Sequence, residues 1–158
     1  MTDAYPRRWP ALELRAGALP FRTRAGGTVE VMLIRRLPAG GWSIPKGRIL
    51  EYRELEATAE LEAFEEAGVA GRMAGEPMGT FLHVKSASAD REHGEAVEVV
   101  VFPLEVTQVT GRWPERHERE RRWFLAEQAA RLVASVRLSD MIAAFAPMRI
   151  EEPLLVLD

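Results

Sequence analysis

Glu62, Glu65 and Glu66 stand at i, i+3 and i+4 in the run Glu62-Ala-Phe-Glu-Glu-Ala-Gly68. On a helix this spacing gathers all three carboxylates within roughly a 100° arc of one face. The chain from about Glu54 to Ala67 reads as that helix, with Gly68 at the C′ position that closes it. Ala57, Leu61, Phe64 and Ala67 form the expected buried stripe. Thr58, Glu62, Glu65 and Glu66 form a separate, mostly acidic face. Carboxylates crowded in this way repel each other by about a few tenths of a kcal/mol per pair unless positive charge is brought to them. A hard divalent cation with oxygen ligands does so, and Mg²⁺ typically bridges such carboxylates to a substrate's phosphates. An acidic run on a helix is more often a solvated face. Here, however, it follows Ser43-Ile-Pro-Lys-Gly47, a loop carrying a cation and a flexible glycine.

The chain has 158 residues, the size of one domain, and a chain of that length buries about 70% of its unfolded surface without needing a cross-link. Cysteine is absent, which removes thiolate catalysis, cysteine-ligated zinc and disulfides, and fits a cytoplasmic setting. The first residues, Met1 to Trp9, carry arginines with no apolar run behind them, so no signal peptide is expected. No segment approaches the ~20 apolar residues that span a bilayer. A formal net charge of −3 argues against bulk DNA or RNA binding.

Residues 1–10 are expected to be a loose lead-in, residues 11–150 one domain, and residues 151–158 an apolar tail. Leu12 to Phe21 suggests a first strand, with Pro20 placing it at an edge or a bulge. Arg24-Ala-Gly-Gly27 reads as a hairpin turn into the strand Thr28 to Ile34. Two strand-like segments, Met78 to Val84 and Ala96 to Val106, flank a polar loop. The charged stretch 112–122 reads as an exposed loop laced with ion pairs, or more sharply as an anion-binding rim that Arg35, Arg36, Lys85, Arg91 and His93 could join. Helices are expected near 126–134 and 139–145, the second opened by Ser139 and Asp140. This order predicts an α/β sandwich on a mixed sheet. Trp9, Trp42, Trp113 and Trp123 read as packing residues rather than platforms for a base. His83 and His117 show no metal-ligand spacing.

From Gly47 to Val69 the chain resembles the signature box of the Nudix hydrolases: Gly, five residues, Glu, seven residues, Arg-Glu, an aliphatic, any, Glu-Glu, any, Gly, an aliphatic. Gly47, Glu62, Glu65, Glu66, Gly68 and Val69 fall on family positions. Arg53 stands where the first glutamate belongs and Leu61 where the arginine belongs, with Glu51 near the missing carboxylate. Trp42-Ser-Ile-Pro-Lys-Gly47, Val101-Phe-Pro-Leu-Glu105, Trp113-Pro-Glu115 and Arg121-Arg-Trp123 are similar to the diphosphoinositol-polyphosphate phosphohydrolase-like subgroup.

The resemblance implies a Nudix-type α/β/α sandwich around a mixed sheet. It also implies a hydrolase of a small-molecule phosphoanhydride, either a nucleoside diphosphate linked to a group X or a diphosphoinositol polyphosphate. Mg²⁺ or Mn²⁺ would be held by Gly47, Glu62, Glu65 and Glu66. Lys46, Arg48, Arg53 and Arg35 would meet the phosphates. The general base would be Glu66, with Glu115, Glu118 and Glu120 as alternatives. Members of the family are often homodimers. Two alternatives stay open at this point: a Nudix enzyme for dinucleoside polyphosphates, nucleotide sugars or RNA 5′ ends, and a non-catalytic regulatory domain on the same scaffold.

Overall fold

A computed structural model describes residues 12–50, 53–85 and 95–150. The expected lead-in, the apolar tail, Trp9, Glu51, Arg91 and His93 lie outside the described residues. The described chain runs β1 (Glu13–Thr23), β2 (Val29–Arg36), β3 (Lys46–Arg48), α1 (Leu55–Ala67), β4 (Val69–Met73), β5 (Gly79–Lys85), β6 (Glu95–Val109), β7 (Arg119–Leu125), α2 (Ala126–Leu132) and α3 (Val136–Ile150).

The strands form one seven-stranded mixed sheet with the path β4-β6-β1-β2-β7, to which β3 adds on β1 and β5 on β6. β1 and β6 run parallel, from Glu13 opposite Val97 to Phe21 opposite Glu105, and the other named pairs are antiparallel. Arg24 to Thr28 closes the β1–β2 hairpin as expected, with Arg24 N–H donating to the Thr28 carbonyl at 2.8 Å. Of the edge or bulge expected at Pro20 the edge is corrected, because β1 lies in the middle of the sheet. On its second flank β1 pairs with β3 at 15–17 and with β2 at 21–23. Pro20 falls in the interval between those pairings, where a residue without an N–H removes no ladder bond on that side.

The strands alternate their apolar residues between the two faces of the sheet. Ala16, Ala18, Met32, Ile34, Val100, Phe102 and Leu104 pack with Ala59, Ala63 and Ala67 of α1. Leu19, Phe21, Val31, Leu33, Val97, Val99 and Val101 pack on the other face with α2 and α3, through Ala129, Leu138, Ile142 and Phe145.

Two further expectations are corrected. The second of the C-terminal helices begins at Val136, and Ser135 rather than Ser139 caps it, accepting from Leu138 N–H at 3.2 Å. Ser139 lies in the helix's first turn and its hydroxyl donates back to the Ala130 carbonyl at 2.6 Å. The charged stretch is only in part a loop, since Arg119 onward is β7, paired along β2 from Arg36 to Glu30. β4 is an element that the sequence reading did not identify.

Candidate functional site

α1 ends where the sequence places its end. Gly68 adopts the left-handed conformation, φ 67° and ψ 32°, and its N–H caps the carbonyls of Ala63 and Phe64. The buried face of the helix is not the expected stripe, however. Thr58, Ala59, Ala63, Glu66 and Ala67 are buried, while Phe64 is 42% exposed. Of the expected stripe only Ala67 is buried, and the acidic face is turned partly into the fold. Alanines permit this, because they let the helix lie close to the sheet and leave the adjoining flank, Thr58-Glu62-Glu66, covered as well.

β3 is laid across β1, and this brings Lys46 and Gly47 against that flank. Gly47 is buried, and a Cβ built on it would overlap the carboxylate of Glu62, so any larger residue here would displace that carboxylate. Lys46 N–H donates to Glu66 Oε2 at 3.0 Å. The other carboxylate oxygen of Glu66 accepts from Arg119 Nη2 at 3.2 Å, and Arg119 Nε donates to Glu115 at 2.8 Å.

The segment between β6 and β7, together with Arg121 of β7, holds the C-terminal turn of the helix, whose last carbonyls would otherwise lack partners. Trp113 Nε1 donates to the Glu66 carbonyl at 3.1 Å, and Glu115 N–H to the Glu65 carbonyl at 3.0 Å. Arg121 donates to the carbonyls of Ala67 and Thr110 at 2.9 and 2.7 Å, and lies 3.8 Å over the Trp113 ring.

The electrostatics follow from this crowding. Burial, then the charges of Glu66, Glu65 and Glu115, raises the Glu62 carboxyl to about 7, against the opposing pull of Arg119. Burial raises Glu66 to about 6, opposed first by Arg119 and then by the Lys46 N–H. Desolvation pushes the Lys46 ammonium below its ordinary value, with Glu66 acting the other way. Two neighbouring carboxyls disfavoured as anions are a surface that attracts a cation.

Among the described residues no three histidine, aspartate or glutamate side chains already close around one point. The donor chemistry nevertheless fits a hard divalent ion: oxygen ligands from one helix face, with the Gly47 backbone against Glu62. Both oxygens of Glu66 accept hydrogen bonds, and each keeps a second lone pair for a ligand.

Beside this helix face lies a cleft of about 590 Å³, lined by Arg15, Arg35, Arg36, Lys46 and Arg119, with Glu66, His83 and the 40–44 segment completing the wall. Of the expected phosphate-binding residues the cleft brings together Lys46 and Arg35. Arg48 and Arg53 are exposed and do not line it, and Arg48 is paired with Glu13 at 3.1 Å. The Nε of Arg15 is buried without a hydrogen-bond partner among the described residues. The sequence reading did not name Arg15, and it included Arg119 only within the 112–122 stretch offered as an anion-binding rim. Each was legible only as one basic residue among many, although Arg119, Arg121 and Trp123 recur at the period of a strand and share a face.

The Nudix domain model matches residues 12–145, and the chain belongs to the Nudix family. It is 30% identical to Nudix hydrolase 21, chloroplastic, of Arabidopsis thaliana over 82% of this chain and 64% of that protein. It is 31% identical to diphosphoinositol polyphosphate phosphohydrolase 3-alpha of Mus musculus over 75% and 68%. The chain spans between about half and two thirds of the length of the first curated relatives it matches. Among solved structures, a C. elegans Ap4A hydrolase binary complex matches with a TM-score of 0.60 at 19% identity, over 87% of this chain and 97% of that one. The Nudix domain of Shewanella oneidensis NrtR, complexed with ADP ribose, matches with a TM-score of 0.62 at 18% identity, over 92% and 99%. These structural likenesses establish the sandwich fold. Among the described residues no helix is long and apolar enough to cross a membrane.

Proposed function

We propose that this chain is a Mg²⁺- or Mn²⁺-dependent pyrophosphohydrolase that cleaves a phosphoanhydride in a densely phosphorylated small molecule of the diphosphoinositol polyphosphate type. The observation that carries the reading is the junction of two surfaces. Glu66 belongs both to the carboxylate face of α1 and to the wall of the cationic cleft, and Lys46 of β3, bonded to it through its N–H, lines the same wall, so a phosphate chain in the cleft reaches the carboxylates.

Each group has a task. Glu62, Glu65, Glu66 and the Gly47 backbone would hold the divalent ion, which when bound supplies charge neutralisation at phosphorus and an acidified water. Lys46, Arg35, Arg36 and Arg15 orient the phosphates, the arginines as planar donors and the lysine as a point charge. Glu66, fixed from two sides, is the candidate for holding the proton of the attacking water.

A nucleotide-directed enzyme is the second reading, prompted by the Ap4A hydrolase and ADP-ribose complexes among the structural neighbours. The described tryptophans favour the first. Arg35 lies over Trp42, Arg121 over Trp113 and Arg22 over Trp123, so one face of each ring is already taken by a cation, which halves the surface left for a base. A hydrolysis screen with Mg²⁺ and with EDTA across diphosphoinositol polyphosphates, diadenosine polyphosphates, ADP-ribose and nucleoside triphosphates tests this. Metal-dependent release from the inositol substrates supports it, and turnover confined to the nucleotides replaces it with the second reading. A cytoplasmic setting is part of the proposal. Relatives named as chloroplastic and mitochondrial make imaging of the tagged full-length chain the direct check.

A further inference from the structure

A buried carboxylate that must present lone pairs to a cation needs a fixed orientation and a compensating charge. α1 supplies neither to Glu66. Its sequence, from Leu55 to Ala67, contains no lysine or arginine, and position 61, where the family pattern has an arginine, is Leu61. The charge arrives from β7. Arg119 reaches Glu66 with Nη2 at 3.2 Å and Glu115 with Nε at 2.8 Å, with side-chain exposures of 15% for the arginine and 8% for Glu66. Glu115 is itself tied to the helix, its N–H bonded to the Glu65 carbonyl at 3.0 Å. The guanidinium thus spans a closed loop from the helix to the 113–118 turn and back.

We propose that Arg119 is a positioning residue for Glu66, a brace provided from another strand in a chain whose helix has no cation to provide one. The proposal rests on the divalent-ion reading given above. Geometry favours an arginine, because one planar fork meets two carboxylates at once and a lysine's single ammonium meets them less well. Arg119 also lines the cleft, so loss of turnover alone would not separate bracing Glu66 from binding substrate phosphate.

Titration of Mn²⁺ into the substrate-free full chain by calorimetry separates the two. Wild type binds Mn²⁺, Arg119→Met binds about 10- to 100-fold more weakly, and Arg119→Lys lies between them. Circular dichroism verifies the fold of each, and if the methionine variant fails to fold, the lysine variant decides. Unchanged or tighter Mn²⁺ binding by a folded variant overturns the brace and leaves the proposed function standing. Absence of Mn²⁺ binding by wild type overturns both.

Discussion

The two faces of the sheet are built from different materials. The face under α2 and α3 is filled by leucine, isoleucine, valine and phenylalanine, including an edge-on contact of Phe21 with Phe145 at 4.8 Å between ring centres. The face under α1 is lined at the helix contact by alanines, Ala16 and Ala18 from β1 meeting Ala59, Ala63 and Ala67. Bulk on one side yields apolar burial and dispersion, which fix the sheet. Small residues on the other yield proximity, which brings Glu62 and Glu66 to the Lys46–Gly47 backbone. Both faces bury large side chains, Met32, Ile34, Phe102 and Leu104 on the α1 side among them, and the α1 face adds small residues where the helix must bring charge close to the sheet.

Substitutions should separate the two faces. Glu62→Gln removes an oxygen ligand and a charge that the fold disfavours. Turnover is expected to fall by about 10²- to 10⁴-fold while thermal stability without metal holds or rises at pH 8. Steady-state kinetics beside thermal melts check this, and near-normal turnover would remove Glu62 from the site. On the opposite face, Ile142→Ala leaves a cavity under α3 and is expected to lower stability by about 2–5 kcal/mol with turnover per folded molecule unchanged. Chemical denaturation measures the first quantity, and a large loss of turnover at equal folded fraction would show that the faces are not independent.

Ala63→Leu tests the close approach itself. Overpacking of the α1 contact is expected to cost about 1–3 kcal/mol, and Mn²⁺ affinity should fall as the carboxylates are lifted from Gly47. If affinity is retained, proximity is not what the alanines secure.

A further effect is in pH. Glu62 and Glu66 bind protons more readily in the folded chain than in the unfolded one, so between pH 4.5 and 7 the native state carries more protons and their contribution to stability falls as pH rises. Metal-free melts should therefore drop by about 5–15 °C across that window, a trend that saturating Mg²⁺ flattens. A metal-free melt that rises over the same window would contradict the raised carboxyl values.

What was legible in the sequence was local. The acidic spacing, the closing Gly68 and the Arg24–Thr28 turn each depend on residues within one or two turns of chain, and the structure places them as read. The buried flank of α1 was misassigned because helical periodicity defines a face without saying which face meets the sheet. Phe64 is apolar and exposed, whereas Glu66 is charged and buried. β7 was obscured because its inward positions, Arg119 and Arg121, are charged, and β4 because Gly71 interrupts a short strand. Gly71 lies where an added Cβ would run into the Glu105 carbonyl, and the β4–β6 register shifts at Ala70–Gly71. In both strands a demand from distant chain overrides the local pattern, and the same holds for the partner of Glu66.

The parallel pairing of β1 with β6 joins the first strand to the sixth, and the Arg119–Glu66 bond spans 53 residues of sequence. Contacts of such separation form slowly, because the entropy of closing the intervening loop is lost before any pairing rewards it. α1 can therefore coil early on its own local bonds, but its carboxylates acquire their surroundings only once the sheet has closed around β6 and β7 has docked on β2. In time, competence of the site arrives after the helix that carries it.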